Sequence, residues 1–257
     1  MEGYIMSRPV VFYSPHADDE TLNMGITIAE HVAAGRDTHV VLMTHGRQSG
    51  ALNVINGTHV NGGYFWEIKH DPEFEGYKPL TVEQFAEARM EEFYNALRQL
   101  GVPAENQHIE YLDDPNSDGG ENVTVNEAKS VIQKYINLFP DADHYTLSYH
   151  DIHPDHAACG QALQDLYDEG AIQYYVRFII SMATRDDYES RGAAIPGGGW
   201  KDTPTDNTIK QRVINACRCY AAWAPRLGAY AIGYHSVSRQ FDKFLADPFH
   251  YLHMPGQ

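Results

Sequence analysis

The chain has 257 residues, 43% hydrophobic and 12% aromatic, enough for one large core, and no break in composition calls for a second domain. Its formal net charge of -16, from 19 basic and 35 acidic residues, argues against affinity for nucleic acid phosphates or anionic lipid. No run approaches membrane-spanning length, and the first residues lack the basic start and apolar core of a secretion signal, so a soluble cytoplasmic protein without membrane insertion is expected.

In chain order, "PVVFYS" (9–14) predicts a buried strand, and "TLNMGITIAEHVAAG" (21–35) carries apolar residues at helical spacing and stops on Gly35. "THVVLMT" (38–44) predicts the second strand, completing a β-α-β unit of the kind that builds parallel sheets. Residues 46–80 show no sustained period and read as a long substrate loop. Thr81 then caps a helix that ends at Gly101. Further strands are expected at 108–112, 144–150 and 174–183, and further helices at 125–139 and after "DIHPDH". A Gly/Pro loop at 193–204 precedes two closing helices. Cys159, Cys217 and Cys219 form an odd set whose Cys-x-Cys pair would point to different helix faces, so free thiols in a reducing compartment are expected. This alternation predicts a single α/β domain over 1–257, Rossmann-like and doubly wound, with a mostly parallel sheet and helices on both faces. Ligands of such sheets bind outside the carboxyl ends of the strands.

Two polar clusters fall at such ends. "SPHADDE" (14–20) follows the first strand and "HDIHPDH" (150–156) follows a later one, so a parallel sheet brings them to one edge. A catalytic zinc takes three protein ligands, commonly His and carboxylate, and leaves a position for water. His16 and Asp19 can converge across a helical turn, with His156 as third ligand. Asp18 would then lie where a general base takes a proton from water, and His153 where an imidazole stabilises an oxyanion or protonates a leaving amine. Asp155 is placed to orient one of these imidazoles. Each residue alone is more often an ordinary surface or core histidine or a first-turn acid; the joint pattern is what points to chemistry.

"PHADDE" together with "HPDH" resembles the paired signature of the LmbE-like, or PIG-L, family of zinc-dependent N-deacetylases, and the likeness extends over at least residues 9–165. The resemblance implies zinc on His16, Asp19 and His156, Asp18 as general base, and His153, tuned by Asp155, stabilising the tetrahedral intermediate. Arg89 matches a family arginine that contacts the sugar, although by position it is equally a helix-surface partner of Glu92. Asp113 or Asp114 falls where the family binds sugar hydroxyls. Ala17 replaces the usual proline of the first motif, and "HGRQSG" replaces an acidic loop after the second strand. The implied reaction is removal of an N-acetyl or N-acyl group from an N-acetylglucosamine-type conjugate, glycopeptide-antibiotic pseudoaglycones being one family substrate class. Tyr64, Phe65, Trp66 and Trp200 are candidates for an aromatic wall of the substrate cleft. The competing readings are an amidase acting on a larger acyl or thiol conjugate, a non-enzymatic carbohydrate-binding module, and a nucleotide-binding protein. Asp18 counts against the second and the acidic first turn against the third.

Overall fold

A computed structural model describes residues 8–47, 49–59, 69–112 and 123–257. Its elements are β1 (Val10–Ser14), α1 (Asp19–Leu22), α2 (Gly25–Ala33), β2 (Thr38–Leu42), α3 (Ala51–Ile55), α4 (Pro72–Glu75), α5 (Val82–Leu100), β3 (Gln107–Ile109) and α6 (Val125–Leu138). There follow β4 (Asp143–Leu147), α7 (Pro154–Asp168), β5 (Val176–Ile180), α8 (Met182–Ser190), β6 (Trp200–Asp202), α9 (Asn207–Tyr220), β7 (Trp223–Ala224), β8 (Ala229–Tyr230), α10 (Ile232–Ala246) and β9 (His250–His253). The strands β3-β2-β1-β4-β5-β9-β6 form one sheet in that order, and β7 pairs with β8. The first five of the large sheet are parallel; β9 runs antiparallel between β5 and β6.

Alternation along fully buried strands explains the layering. Val10 and Phe12 of β1, with Val40 and Leu42 of β2, face a core shared with α2, α5, α9 and α10. Val11, Tyr13, Val41 and Met43 face the opposite core, built with α6 and α7. Thr81 and Thr124 each close a capping box at the heads of α5 and α6, and Gly101 ends α5 in the left-handed conformation. The sheet order reverses between β1 and β4. That switch point opens a crevice at the carboxyl ends of the two strands.

The sequence-predicted loops contain more order than expected. The long connection holds α3 and α4, and the Gly/Pro segment delivers β6 to the sheet edge. Neither α8 nor β9 was foreseen. The sequence "MATRDDYES" has almost no apolar stripe, and β9 is four residues long with two histidines, below what period-two reasoning detects.

Candidate metal centre

The first arm of the site leaves β1 through a turn with unusual tension. Asp18 has φ 127°, a left-handed conformation that side chains other than Gly, Asn and Asp seldom adopt. The turn is held from three sides. Thr44 Oγ1 donates to the Pro15 carbonyl (2.9 Å), Ser14 Oγ donates to the His16 carbonyl (2.8 Å), and the Asp18 N–H donates to Glu20 Oε2 (3.0 Å). Glu20 is fully buried, and its other oxygen accepts from Thr21 Oγ1 (2.6 Å) and Tyr220 Oη (2.7 Å). Burial pushes the Glu20 carboxyl up to about 7 against those hydrogen bonds. The third acid of the motif therefore builds the turn.

Arg89 reaches the same turn from α5. Its Nη2 donates to the Ala17 carbonyl at 3.0 Å and lies 3.4 Å from Asp18 Oδ2, while Nη1 donates to the Gly46 carbonyl at 3.1 Å. Gly46 has φ +63°, and a Cβ there would fall 2.0 Å from Arg89 Nη1, so only glycine admits the guanidinium. Arg89 is 5% exposed, which excludes the surface reading; Glu92 turns away to accept the Ile232 and Gly233 N–H groups at 2.6 and 3.0 Å.

The second arm leaves β4. His153 caps α7 and Pro154 opens it, which brings His156 round to face β1. His16 Nδ1 lies 3.2 Å from Asp19 Oδ2 and 3.2 Å from His156 Nε2, and the latter two atoms are 3.1 Å apart. The far nitrogens face carboxylates. His16 Nε2 donates to Asp155 Oδ2 (2.9 Å), and His156 Nδ1 is 3.3 Å from Asp151 Oδ1 without a well-aligned hydrogen bond. With protons on those outer nitrogens, three electron pairs converge at spacings close to the about 3.3 Å expected between ligands of a tetrahedral ion with bonds of about 2.0–2.1 Å. The residues present fit a metal ion. Electrostatics agree: burial alone would lower His156, yet Asp19 and Asp151 lift it to about 10, the mark of a site that demands positive charge.

His153 stands at the mouth. The His16, His153 and His156 imidazoles offer ligand atoms all within 4.8 Å of one another, so an all-histidine set is also within reach of an ion. Two features favour Asp19 over His153 as third ligand. Asp19 Oδ2 is nearer, and His153 Nδ1 accepts the Asp155 N–H at 3.3 Å, leaving Nε2–H as a proton donor. Burial, then the neighbouring His156 and His16, lower the His153 pKa. Asp18 behaves oppositely: burial pushes its carboxyl up to about 6, Arg89 opposes the rise, and the Asp19 charge adds to it.

The groups open onto a cavity of about 380 Å³ lined by both arms, Arg47, Arg89, Ser181 and the α10 residues Ser236, Val237 and Gln240. Several expectations change here. The Asp155 carboxylate hydrogen-bonds His16, with its other oxygen accepting the Val123 N–H (3.0 Å), and it reaches His153 through its charge, which opposes the fall in the His153 pKa. Trp200 lies on the edge strand β6, facing Arg177 at 5.5 Å, and does not line the cavity. Trp66, Tyr64, Phe65, Asp113 and Asp114 lie outside the described residues. Sequence reasoning missed Asp151 and Asn23. Asn23 Nδ2 donates to Asp19 Oδ1 (2.8 Å) and Oδ1 accepts the Met182 N–H (2.9 Å), fixing the carboxylate to α8. Asp151 sits inside "HDIHPDH", and its position two residues before a capping histidine was the available signal.

Residues 11–167 match the family described as PIG-L, GlcNAc-PI de-N-acetylase. The chain belongs to the PIG-L family. This PIG-L chain is accordingly an amide-hydrolysing deacetylase. No curated protein matches it. Among solved structures, a triple mutant of a deacetylase of the teicoplanin biosynthetic pathway superposes with TM-score 0.63 at 17% identity, covering 96% of each chain. The A40926 pseudoaglycone deacetylase gives 0.62 at 18%, covering 97% of each. A 4-carboxy-2-hydroxymuconate hydratase from Pseudomonas putida gives 0.57 at 15%, covering 96% of this chain and 95% of its own. The PIG-L fold is thus shared by a protein with a different activity, and the site must carry the functional argument. No helix among the described residues is long and apolar enough to cross a membrane.

Proposed function

We propose that this chain is a zinc-dependent N-deacetylase acting on an N-acetylglucosamine-type sugar of a small-molecule conjugate, such as a glycopeptide pseudoaglycone, with the whole of 1–257 as one domain. One observation carries the reading: His16 Nδ1, Asp19 Oδ2 and His156 Nε2 converge at 3.1–3.2 Å beside a strained Asp18 whose carboxyl is pushed up to about 6, on the floor of a cavity. The family description supplies the sugar, and the two glycopeptide deacetylases support the conjugate.

His16, Asp19 and His156 would hold the ion, which when bound supplies Lewis acidity that polarises an acyl oxygen and acidifies water. Asp18 accepts the proton of the attacking water. Its pKa near 6 leaves it mostly ionised at neutral pH yet basic enough for the transfer. Arg89 fixes the Asp18 backbone and carboxylate, so the base is oriented before substrate arrives. His153, whose Nε2 carries the proton, hydrogen-bonds the developing oxyanion, and the proton that Asp18 took from water passes to the departing amine. The acyl C–N bond breaks, giving acetate and a free amino sugar.

Metal analysis of the purified protein, with acetate release measured over a panel of N-acetylglucosaminyl compounds and longer N-acyl analogues, tests the proposal. Asp18→Asn, which keeps a residue tolerant of the left-handed backbone, should retain metal while turnover falls by about 10²–10⁴. Loss of metal with an unchanged residual rate would overturn the roles given to Asp18 and the ligands, and hydration of an enol acid without acetate release would overturn the reaction.

A further inference from the structure

One wall of the cleft is carried by α10, whose two halves are each held in place. The helix has no side-chain cap of its own and starts from Ala231 in the left-handed conformation (φ 48°). In place of a cap, the Glu92 carboxyl of α5 takes the Ile232 and Gly233 N–H groups, one helical turn beyond the Arg89 that holds Asp18. Ser236 Oγ donates back to the Ile232 carbonyl (2.9 Å), a bond of the kind that bends helices, and at Val237 the backbone leaves the helical region (φ -143°, ψ 45°). Beyond the break, Phe241 and Phe244 are buried in the core shared with β1 and β2, which anchors the second half. Ser236, Val237 and Gln240 are left lining the cavity.

The hydroxyl groups around the cavity are already engaged. Thr44 Oγ1 donates to the Pro15 carbonyl, and Ser181 Oγ accepts the Thr184 N–H (3.3 Å) and donates to Thr184 Oγ1 (3.2 Å). Because the Ser236 proton goes to Ile232, Ser49 Oγ donates across the 3.2 Å to Ser236 Oγ, and it also accepts the Ala51 N–H at 3.2 Å. Gln240 differs. Among the described residues its half-buried carboxamide has no hydrogen-bond partner, so its oxygen and its two N–H protons remain for a ligand. A carboxamide accepts at one end and donates at the other, which matches two neighbouring hydroxyls, and it carries no charge that would favour an anion. The cavity, about 380 Å³, lies at the lower end of the roughly 300–1,000 Å³ of small-molecule sites. We infer that Gln240 is a substrate-recognition residue whose carboxamide hydrogen-bonds a pair of neighbouring hydroxyls on the sugar that carries the scissile amide; the inference rests on the deacetylase reading above. Its place on a helix anchored on both sides of the break presents the group before the sugar arrives.

The probes are the methyl glycoside of N-acetylglucosamine and its singly deoxygenated analogues, scored by acetate release and by calorimetric binding of the corresponding free amines, which cannot be turned over. With wild-type protein, removal of either of two adjacent hydroxyls should lower kcat/KM and amine affinity by about 5–10-fold each. Gln240→Leu keeps the bulk of the side chain, and Gln240→Asn withdraws the same group by one methylene. Each should lose a similar factor on the parent sugar, keep its metal content and show no further loss on those two analogues, because the partner is already gone. Wild-type protein that treats every deoxygenated analogue like the parent overturns the inference with no variant needed. Variants that lose equally on the parent and on all analogues also overturn it, since that pattern marks a displaced wall and not a lost contact. Amine binding with the expected pattern but no acetate release would remove the deacetylase reading and leave Gln240 in its role, whereas acetate release without the pattern would do the reverse. A panel neither bound nor hydrolysed overturns both.

Discussion

Replacing Gly160 with alanine should disable the site from behind. Gly160 lies in α7, one helical turn after His156 and on the same face, where the helix crosses the end of β4. A Cβ at this position would stand 2.3 Å from Tyr149 N, 2.6 Å from the Ser148 carbonyl carbon and 2.7 Å from the Leu147 oxygen, all backbone atoms that cannot rotate aside. Ordinary contact begins near 3.4 Å, so α7 must retreat by about 1 Å. Helix propensity favours Gly→Ala by about 1 kcal/mol, whereas overpacking costs about 1–3 kcal/mol, and against immovable backbone the upper part of that range applies. We expect a net loss of about 1–2 kcal/mol in urea unfolding of the metal-free protein. The retreat carries His156 away from His16 and Asp19, so metal affinity should fall by about 10–100-fold and turnover by about 10²-fold. Gly25→Ala is the control: its nearest neighbour would be at 3.5 Å, and it should be neutral or stabilising. A Gly160→Ala protein as stable as wild type with unchanged metal affinity would refute the reasoning, because helix propensity alone would then have decided the outcome.

Arg89→Met removes the cation that opposes the rise in the Asp18 pKa, so the acidic limb of the pH–rate profile should move to higher pH and kcat should fall more than KM rises. His144 and His250 are buried and held neutral, at about 4 and about 3, by burial above all. Their contribution to stability is complete above the unfolded value of about 6.5 and is lost as pH falls toward those folded values. Between pH 6.5 and 5 each should cost about 2 kcal/mol, read from urea midpoints, and His250→Phe should flatten that slope. Glu92 runs the other way. Burial raises it to about 8, so its contribution is present below pH 4.5 and declines as pH rises through 8; Glu92→Gln should remove that decline from the same measurement.

The alternating strands and the two polar clusters were readable because each rests on local period or on residue type. The meeting of His16, Asp19 and His156 followed from topology alone, since two parallel strands put their following turns on one edge. What stayed hidden depended on partners distant in the chain. Whether Asp155 orients His16 or His153, both within reach, is settled by which way α7 turns at Pro154. Arg89 reads as a surface residue on α5 until Gly46 and Ala17 are seen to accept its protons. Trp200 was misread because a Gly-rich run flanking a single tryptophan gives no hint that β9 will recruit it to the sheet.

The two arms of the metal centre come from opposite sides of the strand-order reversal, and His16 and His156 are separated by 140 positions in the chain. A fragment that lacks the β1–β4 pairing holds only half of this ligand set, so an ion held by both arms would be loaded only after those two strands have paired.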